Sequence, residues 1–185
     1  MLIPLHQINT FNFINAHFFN GKMNEQQTEN VNLIVEHAGD HIDKRQLAYM
    51  LATAYHETAH TMRPVEEYGH GSHHTYGDSA GPYGHAYYGR GFVQLTWLHN
   101  YTYVGKLIGI DIVKSPDMAL IPDVAAKILV HGMVHGWFTG QHLGAFFTGT
   151  RSDWIDARSV VNGHDRAALI AGYGLHFYHA LTLPA

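Results

Sequence analysis

The sequence contains no cysteine, few charged residues and no long apolar run. Without cysteine there can be no disulfide framework, thiolate zinc site or cysteine nucleophile, and the missing disulfides favour synthesis in a reducing cytoplasm. The 11 lysines and arginines are scattered and the formal net charge is −4, which is unlike the basic stripe of nucleic-acid-binding proteins. No apolar segment approaches the roughly 18 residues of a membrane-spanning helix. We therefore expect no nucleic-acid partner and no stable membrane insertion.

The first residues also lack the pattern of a secretory signal peptide, because no lysine or arginine precedes the apolar residues 1–5. We expect synthesis in the cytoplasm, so that a substrate outside it becomes accessible only after another factor disrupts the membrane. The 185 residues show no repeat, low-complexity tract or Pro/Ser-rich linker. Residues 1–185 are therefore predicted to form a single domain without a separate binding module, and we expect a monomer. The 17 histidines are conspicuous, but their positions indicate no function.

Apolar residues at helical spacing predict a mainly α fold. In one segment, Leu47, Met50 and Leu51 form part of a buried stripe, and Pro64 is expected to end that helix. Residues 67–91 contain seven glycines and no helical period, which predicts a long loop with at most a minor β-hairpin. Long loops in compact domains tend to be functional. The predicted helices cover about residues 24–37, 43–62, 94–108, 122–138, 152–162 and 165–181.

Glutamate is scarce, with six in the chain, yet Glu57, Glu66 and Glu67 lie close together in the sequence. At 100° per residue, Glu57 lies about 20° around the helix axis from Met50, at the edge of the apolar stripe. Partial desolvation there favours the neutral form of a carboxyl group, which a general acid requires. A chain turn at Pro64 would let Glu66 or Glu67 face back across a cleft, which is the arrangement of a paired acid and base. These residues alone leave two interpretations open, a catalytic pair or unrelated surface glutamates.

Four short segments stand out from the helical patterns: residues 56–58 (HET), 61–69 (TMRPVEEYG), 87–97 (YYGRGFVQLTW) and 157–163 (ARSVVNG). The first, third and fourth resemble, in order, the H-E-T/S, Y-Y-G-R-G-x-x-Q-L-S/T-W and I-N-G blocks of glycoside hydrolase family 19, which includes plant chitinases and many phage endolysins. The second is similar to the T-M-Q-P-I/V-x-E-x-G segment of phage chitinase-like lysozymes. The family blocks occur in order and span most of residues 45–170, and the eleven-residue block is the most specific of them.

The resemblance implies a lysozyme-like or chitinase-like helical domain with a substrate cleft, and it makes Glu57 the general acid. The T-M-x-P-V-x-E spacing selects Glu67 as the base that activates a water on the opposite face of the sugar. The shorter spacing of other endolysins would select Glu66 instead. Thr96 matches the hydroxyl residue that helps to hold this water, because a hydroxyl both donates and accepts hydrogen bonds.

The resemblance also implies a set of residues that bind the N-acetylated sugar or orient the carboxylates. Arg90 or Arg158 is expected to pair with the base and keep it ionised. Tyr87 and Trp97, by contrast, are expected to pack in the core. The expected substrate-binding set comprises His56, Tyr88, Arg90, Gln94, Arg158 and Asn162.

The activity implied by the resemblance is inverting hydrolysis of β-1,4 bonds between N-acetylated sugars. The chain lacks the cysteines and extra loops of plant chitinases, and Glu67 follows Glu57 by only ten residues. These departures are typical of the short, phage-like branch, so bacterial peptidoglycan is the expected substrate. No metal or other cofactor is expected, because two carboxyl groups supply the acid and the base.

Three alternatives remain open. The chain could act on chitin oligomers, or it could be a catalytically silent relative that only binds sugar. His131 and His135 are spaced i, i+4, as metal ligands on one helix face can be, so a metal-dependent peptidase of the wall is the third alternative. No glutamate follows the first of these histidines, as a zinc-peptidase helix would require, so a solvated helix face is the favoured interpretation.

Overall fold

A computed structural model describes residues 8–78 and 82–184, and six α-helices account for most of the elements in these ranges. The prediction of a mainly α fold is confirmed. Short 3₁₀ turns connect the helices, and two pairs of two-residue strands complete the described chain. The helices are α1 (Ile8–Phe19), α2 (Glu25–Ala38), α3 (Lys44–Glu57), α4 (Leu98–Ile108), α5 (Pro122–His135) and α6 (Ala167–Thr182).

Helix α3 lies at the centre of the core, because every residue from Leu47 to Tyr55 is buried. It begins at Asp43, whose carboxylate accepts a hydrogen bond from the backbone N–H of Arg45 at 2.8 Å and so caps the first turn. Helix α6 packs along it. Gly174 lets α6 pack closely on the ring of Trp154, from which a Cβ at that position would lie 2.9 Å, and beside Tyr49 of α3, whose ring it would meet at 3.5 Å. The core therefore holds α3 rigidly up to its C-terminal end.

The end of α3 differs from the prediction. The helix stops at Glu57, five residues before the predicted end at residue 62, so Pro64 is not what terminates it. The Thr58 hydroxyl donates to the carbonyl of Ala54 at 2.7 Å and accepts from the N–H of Met62 at 3.0 Å, so it satisfies an N–H that would have bonded to the Thr58 carbonyl in a continued helix. The consequence is that Glu57 stands at the last helical position.

The other boundaries were predicted with mixed success. Helices α2 and α6 begin and end within two residues of the predicted positions, whereas α4 begins four residues late, at Leu98. Gln94 and Trp97 have φ values of 53° and 77°, which are incompatible with a helix. Helix α5 ends at His135 because Gly136 adopts the left-handed conformation.

Two further differences concern short elements. The predicted helix over residues 152–162 is only a 3₁₀ turn at Asp156–Val160, and α1 was not predicted at all. The glycine-rich loop was expected to hold at most a minor β-hairpin; residues 67–78 and 82–89 contain no named strand, and residues 79–81 lie outside the described range. Strand β1 (Val65–Glu66) instead pairs antiparallel with β2 (Arg90–Gly91), and so ties the two ends of the loop together.

A second strand pair, β3 (Phe147–Thr148) with β4 (Arg151–Ser152), lies outside this loop. Within the described residues, no helix is long and apolar enough to cross a membrane.

Candidate active site

A cleft of about 450 Å³ opens beside the C-terminal end of α3. Glu57 and Glu67 both line it, so the structure brings the predicted acid and one of the two predicted bases to the same site. Gly89 and the apolar residues Val93, Leu95, Phe138 and Val161 complete the walls. The other polar side chains on the cleft, together with the tyrosine and the tryptophan, are Tyr76, Gln94, Thr96, Trp97, Asn100 and Asn162.

Glu57 is held by a buried cation. Its side chain is 17% exposed, and its Oε1 accepts a hydrogen bond at 2.8 Å from Nη1 of Arg158, which is only 3% exposed. The Nε of Arg158 donates to the carbonyl of Asp165 at 3.1 Å, which fixes the plane of the guanidinium. An arginine was expected to pair with the base, so this is a correction: Arg158 pairs with the candidate acid.

Arg90, the other predicted arginine, lies behind the cleft wall. Its Nε donates to Asp117 at 3.0 Å, and its guanidinium carbon lies 3.6 Å from the ring centroid of Tyr88. The ring of His70 also stacks on Tyr88, with 4.7 Å between centroids. Neither Arg90 nor Tyr88 is part of the cleft lining, and Arg90 has no contact with either Glu66 or Glu67 among its hydrogen bonds. In the structure these two residues brace the wall.

Glu67 is held by neutral donors. Its Oε1 accepts from the hydroxyl of Tyr76 at 2.9 Å, and its Oε2 accepts from the backbone N–H of Gly89 at 3.0 Å. Burial raises the pKa of the Tyr76 hydroxyl, and the hydrogen bond to Glu67 raises this pKa further, so Tyr76 remains a donor. Each carboxylate oxygen has two acceptor positions, so each keeps one for another partner, such as a water.

Glu66 points elsewhere. Successive side chains on a strand alternate between its faces, and the Oε2 of Glu66 lies 2.8 Å from Nε2 of His70. Glu66 is not part of the cleft lining. Of the two candidates that the sequence left open, the structure places only Glu67 in the cleft with Glu57.

The predicted polar residues Thr96, Gln94 and Asn162 all line the cleft. The hydroxyl of Thr96 donates to the carbonyl of Gln94 at 2.8 Å, so its oxygen can still accept a hydrogen bond. The side-chain Nε2 of Gln94 donates to the carbonyl of Val65 at 3.0 Å, which joins this segment to β1. Asn162 comes from the segment that follows Arg158, and so belongs to the same wall as the candidate acid.

His56 precedes Glu57 on α3 but does not line the cleft. It is half-buried, and this burial lowers its pKa, while the adjacent carboxylate of Glu57 opposes the shift. The imidazole is therefore favoured in its neutral form beside the ion pair of Glu57 and Arg158.

Three residues of the cleft were missed or misplaced by sequence reasoning. Trp97 was expected in the core, but it is 42% exposed and lines the cleft, whereas Tyr87 is buried as predicted. Asn100 donates from Nδ2 to the carbonyl of Thr96 at 2.8 Å, and the i, i+4 spacing of the two residues was a signal that could have found it. Tyr76 lies in the irregular loop, where no periodic pattern indicates the direction of a side chain.

The histidine pair on α5 does not form part of this cleft. The rings of His131 and His135 stack with 5.9 Å between centroids, and both lie about 6 Å from the ring of Trp137. Across residues 8–78 and 82–184, no group of three or more histidine, aspartate or glutamate side chains could hold a metal ion.

Comparison with known proteins identifies related sequences. An endochitinase of Arabidopsis thaliana is 39% identical over 107 residues, which are 55% of this chain and 34% of that protein. An inactive chitinase-like protein of Hevea brasiliensis is 34% identical over 93 residues, which are 50% of this chain and 27% of that protein. The chain thus spans about a third or less of the length of these curated relatives.

Comparison with solved structures supports the fold. The class IV chitinase of Zea mays superposes with a TM-score of 0.59 and covers 92% of each chain, at 19% sequence identity. At this identity the likeness establishes the fold alone. The family model described as chitinase class I, of glycoside hydrolase family 19, matches residues 28–174. These residues make up most of the chain and contain both cleft carboxylates, and the chain therefore belongs to glycoside hydrolase family 19.

Proposed function

We propose that this protein is an endolysin-type lysozyme, which hydrolyses β-1,4 bonds between N-acetylated sugars of bacterial peptidoglycan with inversion at the anomeric carbon. The observation that carries the proposal is the placement of Glu57 and Glu67 in one cleft, on different structural elements and with different partners. Glycosidases of this kind need two carboxyl groups that flank the scissile bond, one as acid and one as base.

Inversion takes place in a single displacement, in which Glu57 gives its proton to the glycosidic oxygen as the bond between that oxygen and the anomeric carbon breaks. The carboxylate that remains is negatively charged. Arg158 lies 2.8 Å from it and compensates this charge without moving, because its guanidinium is already fixed by the carbonyl of Asp165.

In the same step, Glu67 accepts a proton from a water as the water oxygen bonds to the anomeric carbon on the opposite face. The hydroxyl of Thr96 helps to hold that water, and Gln94 and Asn162 offer amide groups to the N-acetyl sugar. After the reaction Glu57 is ionised and Glu67 is protonated, and proton exchange with solvent restores both. The two carboxyl groups carry every proton that the reaction moves, so no cofactor enters the scheme.

Three features favour peptidoglycan over chitin as the substrate. The chain has no cysteine, its two cleft carboxylates are ten residues apart, and residues 61–69 resemble phage lysozymes.

We further propose synthesis in the cytoplasm and action on the wall after the membrane has been disrupted. Two other candidates have support of their own: the relatives named as endochitinases favour a chitinase, and the inactive relative of Hevea brasiliensis favours a silent sugar-binding protein.

The test compares two polymers and one matched variant. Wild type and Glu57→Gln are incubated with purified peptidoglycan and with chitin oligomers, and released fragments are identified by mass spectrometry. We expect disaccharide-containing muropeptides from wild type alone. Release from chitin without release from peptidoglycan would replace the proposal by a chitinase. Equal, negligible release from both polymers by both proteins would favour the silent protein.

The stereochemical part has its own measurement. Inversion of a β-linkage yields the α-anomer first, so proton NMR of the fresh product should detect α before mutarotation mixes the two forms. A β-anomer as first product would refute the inverting mechanism and leave the substrate assignment intact.

A further inference from the structure

Trp97 is an exposed indole on the cleft wall, and its role is not explained by packing. It is 42% exposed, although tryptophan is highly buried on average. Its described ring contacts are with Tyr76, edge to face at 5.0 Å, and with His99 at 6.2 Å. Tyr76 is half-buried and His99 is exposed, so neither of these described ring contacts is with a fully buried side chain.

The backbone holds Trp97 in place at a conformational cost. Its φ of 77° lies in the left-handed region, which bulky side chains rarely adopt. Its N–H donates to the carbonyl of Tyr87 at 2.8 Å, and its carbonyl accepts from the N–H of Tyr101 at 3.1 Å. These two hydrogen bonds hold the backbone of Trp97 in a conformation that glycine or asparagine would adopt more easily. Strain of this kind, found on a cleft wall, indicates a function for the side chain.

The neighbours of Trp97 relate it to the reaction. Tyr76 contacts the indole and also donates a hydrogen bond from its hydroxyl to Glu67, so Trp97 lies on the same cleft wall as the candidate base. Thr96 and Asn100 place a hydroxyl and an amide group on the same wall. An aromatic face flanked by a few polar groups matches a pyranose ring, whose faces carry C–H groups and whose edge carries hydroxyl groups.

We propose that Trp97 is a sugar-stacking residue, which packs its indole against the apolar face of a substrate ring next to the ring that is cleaved. This inference rests on the proposed function only in that the ligand is an N-acetylated glycan. It does not depend on whether that glycan comes from peptidoglycan or chitin, since both present the same apolar ring face.

The binding test uses protein that cannot turn over its ligand. Trp97→Ala, Trp97→Tyr and Tyr103→Ala are each made in the Glu57→Gln background, and their affinities for a chitin hexasaccharide and a peptidoglycan tetrasaccharide are measured by calorimetry. Tyr103 is the control, because it is an exposed aromatic residue of α4, the helix that follows Trp97, and lies outside the cleft. We expect Trp97→Ala to bind about tenfold more weakly, and Trp97→Tyr and Tyr103→Ala to stay within about threefold of the parent.

Two readouts separate stacking from a structural role. Ligand should change the intrinsic fluorescence of the parent, and Trp97→Phe should lose this change while Trp137→Phe keeps it. In active protein, Trp97→Ala should raise KM with kcat nearly unchanged, because a stacking contact binds ground state and transition state alike. A fall in melting temperature and kcat together, with no recovery in Trp97→Tyr, would overturn the proposal.

The two proposals fail separately. Equal affinity of parent and Trp97→Ala for both oligosaccharides, or no binding by the parent, overturns the stacking role whatever the hydrolysis assay gives. Weakened binding by Trp97→Ala in a protein whose wild type cleaves neither polymer supports the stacking role and contradicts the proposed function.

Discussion

The two walls of the cleft hold their carboxylates in different ways. Glu57 ends a buried helix and contacts a buried cation from a segment 101 residues away. Glu67 begins a loop, and contacts the hydroxyl of Tyr76 and the N–H of Gly89. The difference fits the proposed roles. The acid becomes charged when it reacts, so a fixed cation helps it, whereas the base starts charged and loses its charge, so neutral donors suffice.

The largest expected effect is on the acid wall. Glu57→Gln should reduce hydrolysis by roughly 10²–10⁴-fold, because it removes the proton donor. Its free energy of unfolding should fall by no more than about 2 kcal/mol, since the new amide oxygen can still accept the hydrogen bond of Arg158. Rate assays and urea unfolding measure the two quantities. Wild-type activity in a folded Glu57→Gln protein would contradict the assignment of Glu57 as the acid and, with it, that of Glu67 as the base.

On the base wall, adjacent glutamates provide a matched pair. Glu67→Gln should reduce the rate about 100-fold or more, because the water is no longer deprotonated. Glu66→Gln should remain within about threefold, because Glu66 contacts His70 outside the cleft. The same rate assay applies to both variants. Equal, mild losses would show that neither residue is the base.

The cation of the acid wall should matter for stability as well as for rate. In Arg158→Lys the ammonium cannot reproduce both bonds of the guanidinium, to Glu57 and to Asp165, so the free energy of unfolding should fall by about 1–3 kcal/mol. Arg151→Lys is the control, because the Arg151 side chain is 56% exposed and its ion pair with Asp153, at 3.3 Å, is open to solvent; its change should stay below about 0.5 kcal/mol. Denaturant titration distinguishes the two variants. Similar, negligible changes would mean that the buried ion pair does not stabilise this wall.

A smaller effect is expected from the neutral donor on the other wall. Tyr76→Phe removes one of the two hydrogen bonds to Glu67 and should lower kcat roughly three- to tenfold. Tyr68→Phe serves as control in the same loop, because Tyr68 is fully exposed. Unchanged kcat in Tyr76→Phe would show that Gly89 alone orients the base.

The smallest expected effect concerns pH. Burial lowers the pKa of His56 below its ordinary value of 6.5, so the folded state binds its proton more weakly than the unfolded state does. The associated stability is fully present above about pH 6.5 and is lost as pH falls towards the folded pKa. In His56→Gln, stability should therefore fall less between pH 7 and pH 5 than in wild type. His73→Gln, at an exposed position, should follow wild type; thermal unfolding at each pH measures this, and identical slopes in all three proteins would contradict it.

Much of the fold could be predicted from local patterns. The apolar period of α2 and α6 predicted their bounds within two residues, because packing and local propensity agree there. The end of α3 could not be predicted, because Thr58 ends it through a hydrogen bond to Met62 that leaves no periodic signal. Helix α4 was predicted to begin too early for a similar reason, since the backbone of Trp97 is held left-handed by its hydrogen bond to Tyr87.

For the site, the sequence by itself determined which residues were candidates. Glu57, Glu67, Thr96, Gln94 and Asn162 were all named from motifs, and all of them line the cleft. Motifs consist of residue identity and spacing, and both can be recognised without knowledge of the fold.

Only the tertiary structure decided how these candidates are arranged. It turned Glu67 towards the cleft and Glu66 towards His70, it paired Arg158 with Glu57, and it brought Trp97 from the expected core to the surface of the cleft. Each of these outcomes depends on contacts between segments far apart in the chain or on a single strained backbone angle. The direction of a side chain follows from such contacts, and residue spacing along the chain does not contain them.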